Sequence, residues 1–363
     1  MDNKELVLSW LEDEESRFIY NKRIEFLSTK PNCKPINEIV DKYCPEFVKG
    51  KHFSEKMNEF LSRVNGKSVY VWGAGIRYSR VAKMAEDGAF SIVGVIDVNA
   101  DDLNSSGKLD ITVCKPEDVN LREVDCLVVS MINDQWIEQV CRYAKENGMD
   151  DEDIIILNDY YDWHDYHLVN KQYFDEKVIF DEGEVFVDAG VLDLATSLLF
   201  AQKCKERNIS KFSMIAFEPD KECYINCKAI AAQHPELDIE LVNSGLYSSN
   251  TTIGFNSLDN GRSTISEDDD SSTFIDVVTL DSYINDRRVT YIKMDIEGAE
   301  LEALKGCAET IRKQKPKLAI SIYHKPEDLT EIPVFIKSLV PEYKFYIRHY
   351  SDSISETVLY ALL

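Results

Sequence analysis

Two stretches of this 363-residue chain leave little choice of fold: VFVDAG at 185–190 and YIKMDIEGAELEALKG at 291–306. In each, a run of apolar residues ends in an acid followed closely by glycine. The first predicts a buried strand over 185–187 that stops at Asp188, turns through Gly190 and enters a helix over 195–205. This is how a parallel α/β sheet opens a ligand crevice. The second repeats the event, with a strand over 291–294 followed by Asp295, Glu297 and Gly298. Between them 214–217 reads as a third strand that ends in Glu218–Pro219, a carboxylate at about the spacing where a ribose hydroxyl is caught. Three acids are expected to converge on one sheet edge.

The order of these segments, with LVNSGLYS between them and KPKLAISIYH after them, resembles the FkbM family of S-adenosylmethionine-dependent methyltransferases over roughly residues 172–363. The resemblance implies a class I methyltransferase fold with an antiparallel final strand pair. It also implies S-adenosylmethionine as cofactor and a glycan or glycosylated small molecule as acceptor. By the same resemblance Asp188, Ala189 and Gly190 would hold the methionine end of the cofactor, Glu218 with Pro219 the ribose hydroxyls, and Ser244–Gly245 the adenine edge. Asp295, Glu297 and His324 would face the transferred methyl group, and Tyr323 would stand beside the acceptor. One departure is visible: DAGVLDLATS carries Leu194 where the family's first motif has a second glycine. Glycine serves such turns because the backbone must approach a ligand closely or adopt positive φ, and a leucine obstructs the first and disfavours the second. A reshaped pocket or weakened cofactor binding is the expected consequence.

Upstream, 65–158 alternates strand-like and helix-like segments: SVYVWGAG, a helix over 76–85, SIVGVIDVN, CLVVSM, QWIEQVCRYAKENG and DIIIL. This predicts a second, smaller Rossmann-like domain. Its GAGIRY holds two of three fingerprint glycines, Gly73 and Gly75, with Tyr78 in the third place and Asp97 at ribose-binding spacing. Tyrosine there argues against a standard NAD fit, because the third glycine permits close helix–strand packing. The domain, similar to those preceding sugar-modifying enzymes, is expected to bind a nucleotide-sugar fragment or to serve as an unliganded scaffold. Residues 1–64 carry apolar and charged positions at helical spacing and predict a helical lead-in, in which Trp10 and Phe18 are available for a dimer contact. The 159–183 stretch predicts a connecting helix or linker, and 184–363 the methyltransferase domain. Aromatics in YYDWHDYHL (160–168) suit an interdomain seal better than a sugar platform, and SEDDDSS (266–272) reads as a solvated loop with a possible second role as a lid.

A net charge of -24 disfavours attraction to phosphate backbones or anionic lipid, so no nucleic-acid partner is expected. The N-terminal MDNKELVLSWLEDEESRF lacks a basic segment followed by an apolar run, and no 18 consecutive residues are apolar. A cytoplasmic chain without membrane insertion, with a homo-oligomer possible, is the expectation. The nine cysteines have no paired CxxC spacing, and Cys223 and Cys227 lack a matching second pair for a metal.

Methyl transfer to oxygen needs an acceptor held in line and relieved of its proton. His324, ending the strand LAISIYH, is the expected general base. Asp295 and Glu297 would orient it and the cofactor amino group, or supply oxygen ligands to a divalent metal. Glu300 is assigned to the helix N-terminus through capping and dipole effects. Arg348 and His349, on a late strand expected to pair antiparallel with ETVLYAL, are candidates for contacting an acidic acceptor. Two rivals remain: an NAD-linked sugar oxidoreductase centred on Gly73, Gly75 and Asp97, and a non-catalytic binding or scaffold protein with its pocket spoiled at Leu194.

Overall fold

The computed structural model describes residues 2–29, 32–44, 51–75, 77–86, 90–106, 109, 111–131, 134–160, 171–256, 264–266, 273–351 and 354–363. The chain divides into two units, one made of Met1–Tyr20, Leu168–Tyr350 and Ser355–Leu363, the other of Asn21–His167 and Ser351–Ile354. Each contains one mainly parallel sheet, as the alternation of strand-like and helix-like segments predicts.

Among the described residues four helices precede the first strand: α1 (Asn3–Trp10), α2 (Glu14–Thr29), α3 (Lys34–Tyr43) and α4 (Lys51–Val64). The helical expectation for 1–64 holds, but not as one lead-in, because residues 1–20 group with the C-terminal part of the chain and 21–64 with the smaller sheet. That sheet comprises β1 (Ser68–Trp72), β2 (Ser91–Ile96), β3 (Val113–Cys114), β4 (Cys126–Val129) and β5 (Ile154–Ile156), all parallel in the order β3-β2-β1-β4-β5. Helices α5 (Tyr78–Glu86), α6 (Ala100–Ser106) and α7 (Asp134–Glu146) connect them. Gly73 has φ +107°, the glycine conformation the fingerprint turn requires. Asp97 turns its carboxylate back into this turn, accepting from Ala74 N at 3.0 Å and Asn99 N at 2.9 Å, so the acid has a structural task in its own loops. Tyr160 packs on Phe60 within this unit, while 161–168 of the aromatic run lie outside the described residues.

The larger unit carries β6 (Glu184–Ala189), α8 (Ala195–Glu206), β7 (Phe212–Phe217), α9 (Lys221–Ala231) and β8 (Ile239–Val242). Next come β9 (Gly245–Leu246), β10 (Thr251–Asn256), β11 (Thr264–Ser266), β12 (Thr273–Val278), α10 (Leu280–Ile284) and β13 (Tyr291–Met294). The last elements are α11 (Glu300–Lys305), α12 (Ala308–Gln314), β14 (Lys317–Ser321), α13 (Asp328–Leu339), β15 (Lys344–His349) and β16 (Thr357–Leu362). The main sheet runs β15-β16-β14-β13-β6-β7-β8, and only β16 opposes its neighbours. This is the class I methyltransferase order with its reversed strand. β9 to β12 form a small second sheet in the order β11-β10-β12-β9. Of the stretch expected to be a connecting helix or linker, 159–183, residues 161–170 lie outside the described residues and 171–183 is turns and extended chain. Most of SEDDDSS also lies outside them.

Continuous apolar runs make the central strands, since helices cover both faces of a parallel sheet. Phe186 of β6 stacks on Phe200 of α8 with ring centroids 4.6 Å apart and tilts against Tyr291 of β13 at 5.1 Å; Phe174 and Phe180 complete the cluster. Each such ring contributes roughly 1.5–3 kcal/mol by leaving water. At the other edge, residues 11–16 pack along β15: Glu12 N donates to Phe345 O at 3.0 Å and Ile347 N to Ser16 Oγ at 2.9 Å. Trp10 meets Phe345 edge-on at 6.2 Å, which gives this side chain a place within the unit. Among the described residues no helix is long and apolar enough to cross a membrane.

Candidate active site

The carboxyl ends of β6, β7, β13 and β14 lie side by side, and the turns leaving them carry the site. Asp188 is fully buried at the end of β6, in register with Lys293 of β13. The Lys293 ammonium lies 3.0 Å from Asp188 Oδ1, and Ser197 Oγ donates to Asp188 Oδ2 at 2.7 Å. The adjacent strand thus places a cation against Asp188 out of water. The same ammonium donates to Ala189 O at 3.1 Å and Gly190 O at 2.7 Å and lies over the Tyr173 ring, so the ion pair shapes the turn from beneath.

Gly190 has φ +80°, and a Cβ there would stand 1.9 Å from Asp295 O. The first and second motifs thus meet backbone to backbone, a contact that only glycine permits. Past the turn, Leu194 does occupy a left-handed position, φ 64°, as the displaced glycine predicts. Its side chain is fully buried with Val191, Ala216 and Cys227, which fills the core. Replacing Leu194 with glycine relieves about 1–2 kcal/mol of backbone strain but removes buried contacts worth about 2–5 kcal/mol. A net loss of roughly 1–3 kcal/mol in urea unfolding, with unchanged affinity for S-adenosylhomocysteine, is the expected result; a large affinity gain would show that the leucine spoils the pocket.

Glu218, following β7, accepts from Leu192 N and Asp220 N, each at 2.8 Å, and burial pushes its carboxyl up. It ties the turn after β6 to the start of α9 while keeping acceptor capacity for a ribose hydroxyl, since each carboxylate oxygen has two lone pairs. Asn243 Nδ2 donates to Glu218 O at 2.9 Å and Pro219 O at 3.2 Å, and a Cβ on Gly245 would lie 3.7 Å from Pro219. The structure thus brings Glu218–Pro219 and Ser244–Gly245 together.

His324 follows β14 and is enclosed by acids. Nδ1 lies 2.9 Å from Glu300 Oε1, and Nε2 lies 3.4 Å from Asp295 Oδ1 and 3.5 Å from Glu297 Oε2. Burial alone depresses the imidazole pKa; the Glu300 hydrogen bond and charge, with Asp295 and Glu297, overcome this and raise it to about 9. The surrounding acids thus favour the protonated form of the ring. Glu300 does serve the helix start, accepting from Ile296 N at 2.9 Å, but it is fully buried and belongs to the site as well. Burial pushes the Asp295 carboxyl up, but Lys293, His324 and hydrogen bonds from Tyr173 and Ser321 outweigh that and hold it below its ordinary value.

A pH dependence follows. A histidine raised from 6.5 to about 9 on folding contributes stability that is complete below pH 6.5 and lost as pH rises through 9. At 1.36 kcal/mol per unit this is about 3 kcal/mol. The urea midpoint in chelator-treated buffer should fall between pH 6.5 and 9, and His324→Gln should flatten that decline; an equal slope in both proteins would contradict the assignment.

The acceptor-side candidates are placed differently from expectation. Tyr323 Oη turns to Asp295 Oδ1 at 3.2 Å and Glu356 Oε1 at 3.4 Å, with its ring 4.1 Å from that of His324, so it braces the acid. Arg348 is buried in ion pairs with Asp13 at 2.7 Å, Asp175 at 3.2 Å and Glu15 at 3.5 Å. His349 is also buried, with Nδ1 2.9 Å from Thr357 Oγ1, its register partner on β16. Both hold the edge of the sheet, because β15 points them into the packing of 11–16 and β16. Tyr173 was missed: its hydroxyl donates to Asp295 Oδ2 at 2.6 Å. Lys293 was missed too, though a lysine inside YIKM signals a buried partner, since lysine is almost never fully buried unpaired.

Residues 188–345, from Asp188 to a point within β15, match the family model of the methyltransferase FkbM domain. The larger unit carries an FkbM methyltransferase domain. Residues 65–155 match a second family model, C2185-like, N-terminal, which coincides with the smaller Rossmann-like sheet. Among solved structures, the FkbM methyltransferase from Methylobacillus flagellatus is 19% identical, with 93% of this chain and 100% of that chain covered and a TM-score of 0.48. An rRNA methylase from Streptococcus thermophilus is 13% identical over 50% of this chain and 87% of its own, with a TM-score of 0.33. Fibrillarin from Aeropyrum pernix, solved with natively bound S-adenosyl-L-methionine, is 8% identical over 50% of this chain and 67% of its own, with a TM-score of 0.32. No curated protein matches the chain. The FkbM domain spans every turn that builds the crevice, from Gly190 through Glu218 to Asp295 and His324.

Proposed function

We propose that the FkbM domain is an S-adenosylmethionine-dependent O-methyltransferase acting on a hydroxyl of a glycan or glycosylated small molecule. The observation that carries this reading is the coincidence of the family match with the crevice at the ends of β6, β7, β13 and β14, where Asp188, Glu218, Asp295 and His324 stand. Glu218 suits the ribose hydroxyls, the Gly190 turn the amino-acid end, and the turn before β9 the adenine edge. The bound cofactor supplies an electrophilic methyl group on a cationic sulfonium. The carboxylates of Asp295, Glu297 and Glu300 give that end of the crevice a negative field, which favours such a cation. The acceptor proton passes into the His324–carboxylate cluster as a unit, with Tyr173 and Tyr323 fixing the orientation of Asp295.

Calorimetric titration with S-adenosylhomocysteine tests the cofactor reading. Micromolar binding, about -8 kcal/mol, that weakens at least tenfold in Glu218→Ala is the expected outcome. No heat with this nucleoside, set beside measurable heat with NAD, would move the activity to the smaller unit. His324→Ala should abolish methyl transfer and leave S-adenosylhomocysteine affinity within about twofold.

A further inference from the structure

We propose that Asp295, Glu300 and His324, with Glu297 at the rim, form a divalent-cation site of mixed oxygen and nitrogen donors suited to an ion of the manganese class. Asp295, Glu300 and His324 each present a ligand atom, and these atoms lie within 4.8 Å of one another. That span matches the distance across a coordination sphere with bonds of about 2.1–2.4 Å. The contacts of His324 Nε2 agree: 3.4 Å to Asp295 and 3.5 Å to Glu297 are long for a hydrogen bond. They are close to the separation of neighbouring ligand atoms around one ion, about 3.0–3.4 Å for such bonds.

The second observation is the state of Glu300. The residue is fully buried, and its Oε2 has no hydrogen-bond partner among the described residues. A carboxylate taken out of water requires a counter-charge. One imidazole here faces three carboxylates, and the Lys293 ammonium behind Asp295 is engaged by Asp188 and two carbonyls. The donors are also held by ordered elements: Asp295 follows β13, His324 follows the neighbouring β14, and Glu300 opens α11. Carboxylates favour magnesium, calcium and manganese, and an imidazole among them shifts the preference toward manganese.

The site deepens the methyl-transfer reading, on which its purpose rests: an ion here would engage the acceptor oxygen and make its hydroxyl a stronger acid. Its existence is testable without turnover. The full chain, stripped with chelator, is titrated with Mn2+ alone while free Mn2+ is followed by electron paramagnetic resonance, and the bound ion is then probed for imidazole nitrogen coupling. One equivalent bound with a dissociation constant under about 100 µM, with nitrogen coupling, is expected. His324→Ala should remove the coupling and weaken binding at least about tenfold. Glu297→Gln, at the less buried rim, should weaken binding several-fold in a folded protein, with folding checked by its thermal melt. No binding up to about 1 mM, or binding without nitrogen coupling, overturns the proposal. Titration with S-adenosylhomocysteine in the same samples separates the two readings: nucleoside binding without Mn2+ binding sinks the cation site alone, and loss of both sinks both.

Discussion

Replacing Gly190 with alanine should all but prevent the FkbM unit from folding. The new methyl group would stand 1.9 Å from the Asp295 carbonyl oxygen, a backbone atom that no side-chain rotation can clear. The residue also has φ +80°, so an L side chain brings about 1–2 kcal/mol of conformational strain before any clash is counted. Relief requires β6 and β13 to separate at the point where Asp295 N donates to Ala189 O at 3.1 Å, which breaks the sheet at its centre. A loss of at least about 4 kcal/mol is expected, in the range reserved for changes with no local escape. Urea unfolding followed by near-ultraviolet circular dichroism measures it. Gly75→Ala is the control, because nothing lies within 4 Å of its Cβ position and its φ is not positive. A Gly190→Ala midpoint as close to wild type as that of Gly75→Ala would contradict the backbone contact.

Lys293→Met should cost about 3–5 kcal/mol, the usual result of stranding one member of a buried ion pair. Methionine preserves most of the volume but leaves Asp188 fully buried with Ser197 Oγ as its hydrogen-bond donor. It also removes the donor to the carbonyls of Ala189 and Gly190. The double variant Lys293→Met with Asp188→Asn should recover more than half of that loss, because the uncompensated charge is then gone. Additive losses in the double variant would show that the two residues act independently. The comparison also separates structure from cofactor binding. If Asp188 acts through Lys293 on the Gly190 turn, the double variant, once folded, weakens S-adenosylhomocysteine far less than Glu218→Ala does.

Much of this was legible in the sequence because its signals are backbone signals. Apolar runs such as VFV and IAF can only be central strands, and the acid or glycine that ends each one marks the crevice edge. The resemblance to the FkbM family then implies the class I sheet with its antiparallel final pair. Even the substitution at 194 was informative: the position keeps the left-handed geometry that a glycine would have had. What sequence did not reveal depends on partners distant in the chain. Glu300 follows a helix start and serves it, so nothing local shows that its carboxylate also meets His324. Tyr173 reaches Asp295 across 122 positions. Arg348 and His349 look like surface groups until residues 11–16 and Thr357 cover them. The raised pKa of His324 was out of reach for the same reason, since a histidine's protonation is set by neighbours that sequence does not place beside it.

The packing of residues 11–16 on β15 bears on the order in which the chain acquires structure. The Arg348–Asp13 hydrogen bond closes a loop of 335 positions, and that loop holds the whole of the five-stranded sheet. During synthesis the strands of the β1 to β5 sheet have all emerged once residue 156 is made. The FkbM unit must wait for β16, which sits between β14 and β15 and follows all its other strands in the chain. Until then β14 exposes an unpaired edge, and the first twenty residues lack the surface they pack on. Such a topology is slow to fold and exposed to strand-edge association meanwhile. An earlier-folding unit threaded between the two ends shortens the effective loop, because a compact domain brings its termini closer than an unfolded chain of the same length would.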